Sequence, residues 1–229
     1  YDNKKFDLFL RLKKNVPKKS LVPYTIDSIS VFPNFSIDTD TLTPSSTSTI
    51  NGINFFQKEE FFKPKKLEPY ILFGLGQKYN SNTARLTSNR LSSLGTYKFV
   101  NIRFNEKDTS ATDSVGSLSA DIFLSPLTKR SVRAEFQAVT KSNGFAGPGV
   151  AVTYNNRNLF RGGETFGITG TFAYETQLSG GKNTGLSSIA GGLKADLIIP
   201  TLLPFSPRSF KYAVPKTKIS LGTDFLKRS

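Results

Sequence analysis

Three stretches in the second half of the chain alternate between apolar and polar residues. The first runs from Val132 to Ala138 and places an apolar residue at every second position. Residues 150–155 and 165–174 follow the same pattern, with glycine-rich turns between the stretches. Because successive side chains of a strand point to opposite faces, each stretch predicts a strand with one apolar and one polar face.

Two further runs with the same period follow, at residues 189–199 and 219–225. This period fits an antiparallel sandwich, and it also fits a transmembrane β-barrel, whose strands need about 9–11 residues to cross the membrane. Small residues on the apolar face, such as Ala134 and Gly170, and aromatic residues near the strand ends favour the barrel. No apolar run approaches the ~20 residues of a membrane helix.

The first half of the chain has the pattern of an α+β unit. Residues 25–32 and 97–104 and the alternation from Leu118 to Leu124 predict strands. Helices are predicted at 65–72, after Pro64, and from a cap at Ser81 to Gly95. Residues 38–54 are rich in Ser and Thr without any period, which indicates a solvated loop. The predicted order is therefore β-α-α-β-β.

Composition and charge narrow the function. The net charge is +14, but the basic residues are scattered in short pairs, which argues against a nucleic-acid interface and favours anionic lipid or acidic partner subunits. The chain has no cysteine and no histidine, and its carboxylates, such as Asp38 and Glu68, are dispersed in a pattern typical of a solvated surface. The glycine-rich segments have no helix after them and indicate turns. We expect no enzyme activity, no cofactor and no metal.

Four segments, in chain order, resemble the POTRA-plus-barrel outer-membrane assembly factors, the family of BamA, TamA and the mitochondrial Sam insertase. Residues 86–104 resemble the second helix and the following strand of the last POTRA domain. Residues 124–141 resemble the passage from that domain into the first barrel strand. NNRNLFRGG at 155–163 resembles the N-L-F-x-G turn between strands 2 and 3. IPTLLPF at 199–205 resembles the proline-terminated end of strand 4, whereas the family's late Arg-containing loop motif has no counterpart.

The resemblance implies an α+β POTRA domain followed by the N-terminal strands of an antiparallel transmembrane β-barrel, about 5 of roughly 16 strands. Residues 1–22 would be the end of a preceding POTRA domain and a linker. Residues 23–127 would be the POTRA domain, and residues 128–229 the beginning of the barrel. We therefore expect the chain to be a fragment of a longer protein.

The function implied by the resemblance is that of the barrel subunit of an outer-membrane protein assembly machine. Its expected partners are unfolded outer-membrane protein clients, accessory lipoproteins or other assembly-complex subunits, and outer-membrane lipid and lipopolysaccharide. The barrel would lie in the outer membrane and the POTRA domain in the periplasm. A two-partner-secretion-type transporter of the same superfamily, or a passive outer-membrane channel, is the alternative.

The resemblance also implies three candidate sites, which act through backbone pairing or turn geometry. Strand 1 would pair weakly with the last barrel strand, so that this lateral seam opens and templates client strands, and a POTRA edge would accept clients by strand addition. The lateral-gate strand comprises Val132, Arg133, Ala134, Glu135, Phe136, Gln137, Ala138, Val139 and Thr140. The strand 2–3 turn motif comprises Asn158, Leu159, Phe160, Arg161, Gly162 and Gly163. The client-pairing edge comprises Thr25, Ile26, Asp27, Ser28, Ile29, Ser30 and Val31.

Overall fold

The computed structural model describes residues 21–36, 46–107, 115–142, 144–177, 186–205, 210 and 212–228. Within these residues the chain forms two five-stranded β-sheets and two short α-helices. Of the predicted remnant of a preceding POTRA domain, residues 1–20 lie outside the described part of the chain.

The first sheet belongs to an α+β unit. It contains β1 (Tyr24–Phe32), β2 (Ser46–Ile50), β3 (Ile53–Gln57), β4 (Tyr97–Glu106) and β5 (Gly116–Pro126). The strand order is β2-β3-β1-β5-β4, and β1 is parallel to both of its neighbours. Between β3 and β4 the chain forms α1 (Pro64–Leu67), a 3₁₀ turn (Glu68–Tyr70) and α2 (Ser81–Ser93).

The helices pack against one face of this sheet and complete its hydrophobic core. Alternate strand residues point to that face, because the side chains of a strand alternate. The side chains at the centre of this core are completely buried. Removal of their apolar surface from water is the main contribution to the stability of the unit. Among the described residues, the apolar side chains with no exposed surface are Ile29, Val31, Phe62, Leu67, Leu91, Ala120, Ile122 and Leu124.

The helices differ in detail from the sequence predictions. The cap of α2 is Asn80, whose side chain accepts hydrogen bonds from the backbone N–H groups of Asn82 (2.9 Å) and Thr83 (3.4 Å). Gly95 follows the helix with a φ of 71°, as its predicted position after the C-cap requires. The first helix is shorter than predicted, since the chain tightens into the 3₁₀ turn that contains Pro69.

The hairpin β2–β3 contradicts the loop predicted at 38–54. Its strands turn at Asn51 and Gly52, which both have a positive φ, 50° and 78°. Two successive positive φ angles define a type I′ turn, which favours asparagine followed by glycine. The hairpin lies between β1 and α1, so the predicted β-α-α-β-β order lacks two strands that the structure contains. Residues 38–45 of the predicted loop lie outside the described residues.

The second sheet is an antiparallel meander in which every strand pairs with the next one along the chain. Its strands are β6 (Arg130–Thr140), β7 (Phe145–Arg157), β8 (Thr165–Gln177), β9 (Ser187–Ile199) and β10 (Thr217–Arg228). All five alternating runs of the sequence lie within these strands. β5 ends at Pro126 and β6 begins at Arg130, on either side of the predicted domain boundary.

The register of this sheet brings most of the apolar positions of the five strands to one face, whereas Val139, Ile198 and Leu226 lie on the other face. Phe136 lies opposite Val150, Val150 opposite Phe172, and Phe172 opposite Gly191. Residues directly opposite each other point to the same side of a sheet. The remaining members of this face follow from the same register: Val132, Ala134, Val152, Tyr154, Phe166, Ile168, Tyr174, Ile189, Leu193, Leu197, Ile219, Leu221 and Phe225.

Candidate functional site

The apolar face of the second sheet is exposed. The exposed fraction is 88% for Phe136, 78% for Leu221 and 70% for Val132. No described element of the chain packs over this face, and the hydrophobic core lies in the α+β unit. Contiguous apolar surface of this extent is rare on a monomer in water and indicates contact with another apolar phase or partner.

The opposite face of the same sheet is mostly polar, and its polar side chains form hydrogen bonds and ion pairs. The hydroxyl groups of Thr153 and Thr169 lie 3.1 Å apart on neighbouring strands. Asp196 accepts a 2.5 Å hydrogen bond from Ser220 and lies 3.5 Å from the ammonium groups of both Lys194 and Lys218. This face therefore suits water, as the alternation predicted.

The predicted lateral-gate strand lies at one edge of the sheet. Residues 132–140 belong to β6, which pairs with β7 from Arg130–Asn156 to Thr140–Ala146. Among the described residues, no strand pairs with the other side of β6. Its outward backbone N–H and C=O groups therefore form a row that another strand can join.

The second half of β6 has little cross-strand packing. Ala138 lies opposite Pro148, which has no N–H group, and Val139 lies opposite Gly147. The pairing of β7 with β8 is also interrupted at these two β7 residues. A Cβ atom at Gly147 would lie 1.9 Å from the carbonyl oxygen of Tyr174, so this close approach requires glycine. Residues 137–140 thus lie beside the least regular part of the sheet.

The predicted client-pairing edge at 25–31 is wrong, because this segment is an interior strand. Along one side, β1 pairs with β5 from Tyr24 to Phe32. On its other side, Ile29, Ser30 and Val31 pair with β3. The remaining part of that side bonds to residues 76–79, for example through the Ile26 N–H and the Gln77 carbonyl, 2.9 Å apart. The edge strands of this sheet are β2 and β4.

The predicted turn motif forms a closed loop between β7 and β8. Asn158, Arg161 and Gly163 all have a positive φ, and Asn158 Oδ1 accepts a 3.0 Å hydrogen bond from the Gly163 N–H. The Leu159 N–H donates to the Glu164 carbonyl at 3.1 Å. Asparagine and glycine accommodate the left-handed region at little cost, which explains their positions in the motif.

This turn docks on the α+β unit. Asn158 Nδ2 donates to the Phe61 carbonyl at 2.6 Å, and the Lys63 N–H donates to the Arg161 carbonyl at 2.8 Å. Arg161 also forms an exposed ion pair with Glu60 at 2.8 Å. The exposed fraction of Asn158 is only 2%, so the motif is buried in a junction between the two sheets.

Glu164 is the buried charge of this junction. Its carboxylate accepts hydrogen bonds from Lys66 Nζ at 2.6 Å, from the Gly162 N–H at 3.0 Å and from the Phe160 N–H at 3.3 Å. Burial acts to raise the pKa of Glu164, but the hydrogen bond and charge of Lys66 and the Gly162 N–H outweigh it and hold the pKa below its ordinary value. The carboxylate therefore stabilises the junction at neutral pH.

A second contact ties the same unit to the end of β9 and the segment that follows. The Tyr70 hydroxyl donates to the Pro200 carbonyl at 2.5 Å. Burial raises the pKa of Tyr70 to about 12, so the hydroxyl keeps its proton. Arg90 of α2 lies 5.7 Å from the Tyr70 ring centroid and donates to the Phe210 carbonyl, while burial lowers its pKa.

Sequence reasoning found the turn motif but missed the residues that receive it. Glu164 directly follows Gly162 and Gly163, and a carboxylate beside free N–H groups of a turn is a signal that the sequence carries. Lys66, Tyr70 and Pro200 have no such signal, because their roles depend on partners about 100 or more residues away.

The described residues contain no group of three or more side chains arranged to hold a metal ion. None of the helices in the described part is long and apolar enough to cross a membrane.

Comparisons with known proteins add little. No protein-family model and no curated protein matches the chain. Among solved structures, BamA from Haemophilus ducreyi lacking POTRA domains 1–3 is similar with a TM-score of 0.35 at 10% identity, over 89% of this chain and 43% of that one. CdiB from Acinetobacter baumannii is similar with a TM-score of 0.37 at 10% identity, over 99% of this chain and 58% of that one.

The chain therefore spans about half the length of these two structures, 43% and 58%. Both TM-scores are below 0.5, so the similarity carries no argument about function.

Replacing Glu164 with Gln should loosen the junction. A charge-assisted hydrogen bond contributes about 1.5–3 kcal/mol, and Lys66 would lose its charged partner. The chain has no cysteine, so spin labels on Asn89→Cys and Thr171→Cys can report the distance between α2 and the second sheet. We expect a broader distance distribution in Glu164→Gln at pH 7 than in the parent protein.

The distance distribution of the parent protein should also depend on pH. Because the folded pKa of Glu164 is depressed, the parent distribution should be narrow above the ordinary pKa of 4.5 and should broaden toward that of Glu164→Gln as pH falls below it. Glu60→Gln, which removes only the exposed pair with Arg161, is the matched control and should change little. Equal broadening in both variants would contradict the role of the buried carboxylate.

Gly162→Ala and Gly163→Ala should both destabilise the turn, but for different physical reasons. A Cβ at Gly162 would lie 2.3 Å from Lys66 Cδ, so Gly162→Ala displaces that lysine. Gly163→Ala instead places alanine at a φ of 84°, which costs about 1–2 kcal/mol. In the Lys66→Ala background the effect of Gly162→Ala on unfolding should shrink but not vanish, because the added Cβ would still lie 2.5 Å from Glu164 Oε1. The effect of Gly163→Ala should persist in full. A double-mutant cycle of denaturant unfolding measures both, and additive effects for Gly162 would contradict the contact.

Proposed function

We propose that the chain belongs to an outer-membrane protein assembly factor of the BamA/TamA type, in which β6 is the edge that receives a client strand. The observation that carries this proposal is the open second sheet. Its apolar face is uncovered, its other face is polar, and its first strand has an unpaired edge among the described residues.

A lipid bilayer accounts for the distribution of side chains. Acyl chains would cover the face that carries Phe136 and Leu221, and the face that carries Asp196 would line an aqueous interior. Each strand has 11 to 13 residues, enough to cross the hydrocarbon when tilted. Since the smallest membrane barrels have about eight strands, these five would be the beginning of a larger barrel, and we propose about 16 in all.

The gate follows from the cost of unpaired backbone in lipid. Each unsatisfied N–H or C=O group in hydrocarbon costs several kcal/mol, so a bare edge of β6 must find a partner strand. The last strand of the complete barrel would supply it at rest. Ala138 and Val139 make few cross-strand contacts, which supports a seam that opens. The open seam would exchange the last barrel strand for a client strand.

The α+β unit would be a POTRA domain in the periplasm, at the entrance of the barrel. Strand addition to this unit would use β2 or β4, its two edge strands. The junction at Asn158 and Glu164 would hold the unit in a defined position below the barrel. Accessory lipoproteins, other assembly-complex subunits, outer-membrane lipid and lipopolysaccharide would be the further partners of this basic chain, which carries a net charge of +14.

Other functions explain fewer of the observations. A soluble sandwich needs its apolar faces buried against each other, and a passive channel has no need of a docked α+β unit. A two-partner-secretion-type transporter would share both sheets but would move its substrate along the polar interior. The edge of β6 therefore separates that transporter from an assembly factor, and no enzyme activity is proposed.

Proline at position 134 should abolish the assembly of client barrels. Ala134→Pro removes a backbone donor and kinks β6, so that its edge no longer matches a client strand. Ala134→Thr keeps the donor and suits a strand, and it is the matched control. The measurement is the folding of a client barrel in vesicles that contain the protein, scored by its heat-modifiable gel mobility.

The α+β unit should stay folded in both variants, with unchanged hydrogen exchange in α2. Normal client assembly by Ala134→Pro would remove the gate from this mechanism. Lost secretion with normal client assembly would identify the transporter.

Disulfide trapping should place a client strand beside β6. A disulfide needs Cα atoms about 4.4–6.8 Å apart. Neighbouring strands meet this condition, but strands two positions apart, about 9.6 Å, do not. We expect Ala134→Cys to form a disulfide with a cysteine in the edge strand of a stalled client. Val152→Cys, which lies opposite Ala134 on the same face but one strand further in, should not. Equal trapping at both positions would show that β6 is not the docking edge.

A further inference from the structure

The outer face of the first sheet, opposite the helices, carries a row of phenylalanines at one end. Phe56, Phe32 and Phe123 lie on three adjacent strands, with ring centroids 5.2 and 5.0 Å apart. Phe35 packs against Phe123 at 4.8 Å, and Phe99 extends the row onto β4 with 62% of its surface exposed. We call these five residues the phenylalanine row.

The phenylalanine row lies at the end of the unit nearest the second sheet. β1 and β3 run parallel to β5, and Phe32, Phe56 and Phe123 all lie within three residues of the ends of these strands. From Phe123 only seven residues lead to Arg130, where β6 begins, a distance of at most about 25 Å. The row therefore lies on the side of the unit from which the chain passes to β6.

Away from this end the same face is polar. Ser30, Asn54 and Asp121 occupy the corresponding positions one pair further along the strands, and Ser119 lies one pair beyond Asp121. Asn105 donates a 2.7 Å hydrogen bond to Asp121. A protein partner covering the whole face would leave these groups in a mostly polar contact. A partner surface that contacts only this end of the unit would meet the aromatic residues and not the polar ones.

Two cations lie over rings of the row. Arg103 Cζ is 5.3 Å from the ring centroid of Phe123, and Lys98 Nζ is 5.1 Å from that of Phe99. Aromatic side chains flanked by Lys and Arg are the combination that inserts at the boundary between headgroups and acyl chains and binds anionic headgroups.

We propose that the phenylalanine row rests on the phospholipid surface of the periplasmic leaflet, with Lys98 and Arg103 binding lipid phosphate. The inference depends on the proposed function, because it needs the second sheet to lie in the membrane. It gives the α+β unit a second attachment, independent of the Asn158–Glu164 junction, and assigns it a lipid ligand of its own.

Tryptophan fluorescence tests this contact, since the chain has no tryptophan of its own. The reporter is Phe99→Trp, a change at an exposed ring. The control is Tyr79→Trp, a change at a partly exposed aromatic residue of the same unit. Tyr79 lies just before the start of α2, whereas Leu94 lies at the other end of that helix. Phe136→Trp, on the apolar face of β6, reports whether the second sheet lies in lipid. Each protein is reconstituted in vesicles of phosphatidylethanolamine and phosphatidylglycerol, with and without brominated phospholipid.

We expect the brominated lipid to quench Phe99→Trp and Phe136→Trp but not Tyr79→Trp. Replacing both Lys98 and Arg103 with Gln in the Phe99→Trp protein should reduce the quenching in vesicles that contain phosphatidylglycerol. The reduction should be smaller in phosphatidylcholine vesicles, because the choline cation of each headgroup already balances the charge of its phosphate. Persistence of full quenching would overturn the phosphate contact.

The outcomes separate the two proposals. Quenching of Phe136→Trp with Phe99→Trp unquenched would overturn the lipid contact and leave the proposed function standing. An unquenched Phe136→Trp would overturn both. A Phe99→Trp signal that changes only when a client protein is added would assign the row to a protein partner and overturn the lipid contact.

Discussion

The second sheet depends on an unbroken register across its five strands. Since side chains alternate along a strand, a slip of one residue in any pair would move that strand's apolar set to the polar face. The pairing instead carries Phe136, Phe172 and Phe225 to the same side over the whole sheet. This shared side creates both the large exposed apolar face and the polar face behind it.

The junction between the sheets solves a different problem, the burial of polar groups in a turn. Asn158 and Glu164 are almost completely buried, yet each has hydrogen-bond partners from the turn and from the α+β unit. A buried polar group without partners is costly, so these hydrogen bonds offset the cost of burying the turn. The same contacts therefore stabilise the turn and position the unit at the end of the sheet. The junction therefore places the α+β unit at a defined position relative to the edge of β6.

The phenylalanine row extends this arrangement to the outer face of the unit. It arises because β1, β3 and β5 are parallel and end together, which brings Phe32, Phe56 and Phe123 side by side. These residues are far apart in the sequence, and none is unusual for a strand. Their meeting is a consequence of the parallel pairing, and it changes an ordinary sheet face into a candidate membrane contact.

The sequence by itself determined the elements whose signal is local. Alternation located all five strands of the second sheet, and the turn motif was recognised from residues 155–163. The Asn51–Gly52 dipeptide also carried a hairpin signal, which the prediction of a solvated loop overlooked. Only the tertiary structure decided which strands are edges. Residues 25–31 look like any strand, and their interior position depends on pairing with β3, β5 and residues 76–79. The partner of Glu164 was undetermined for the same reason, since contact between distant residues has no trace in local periodicity.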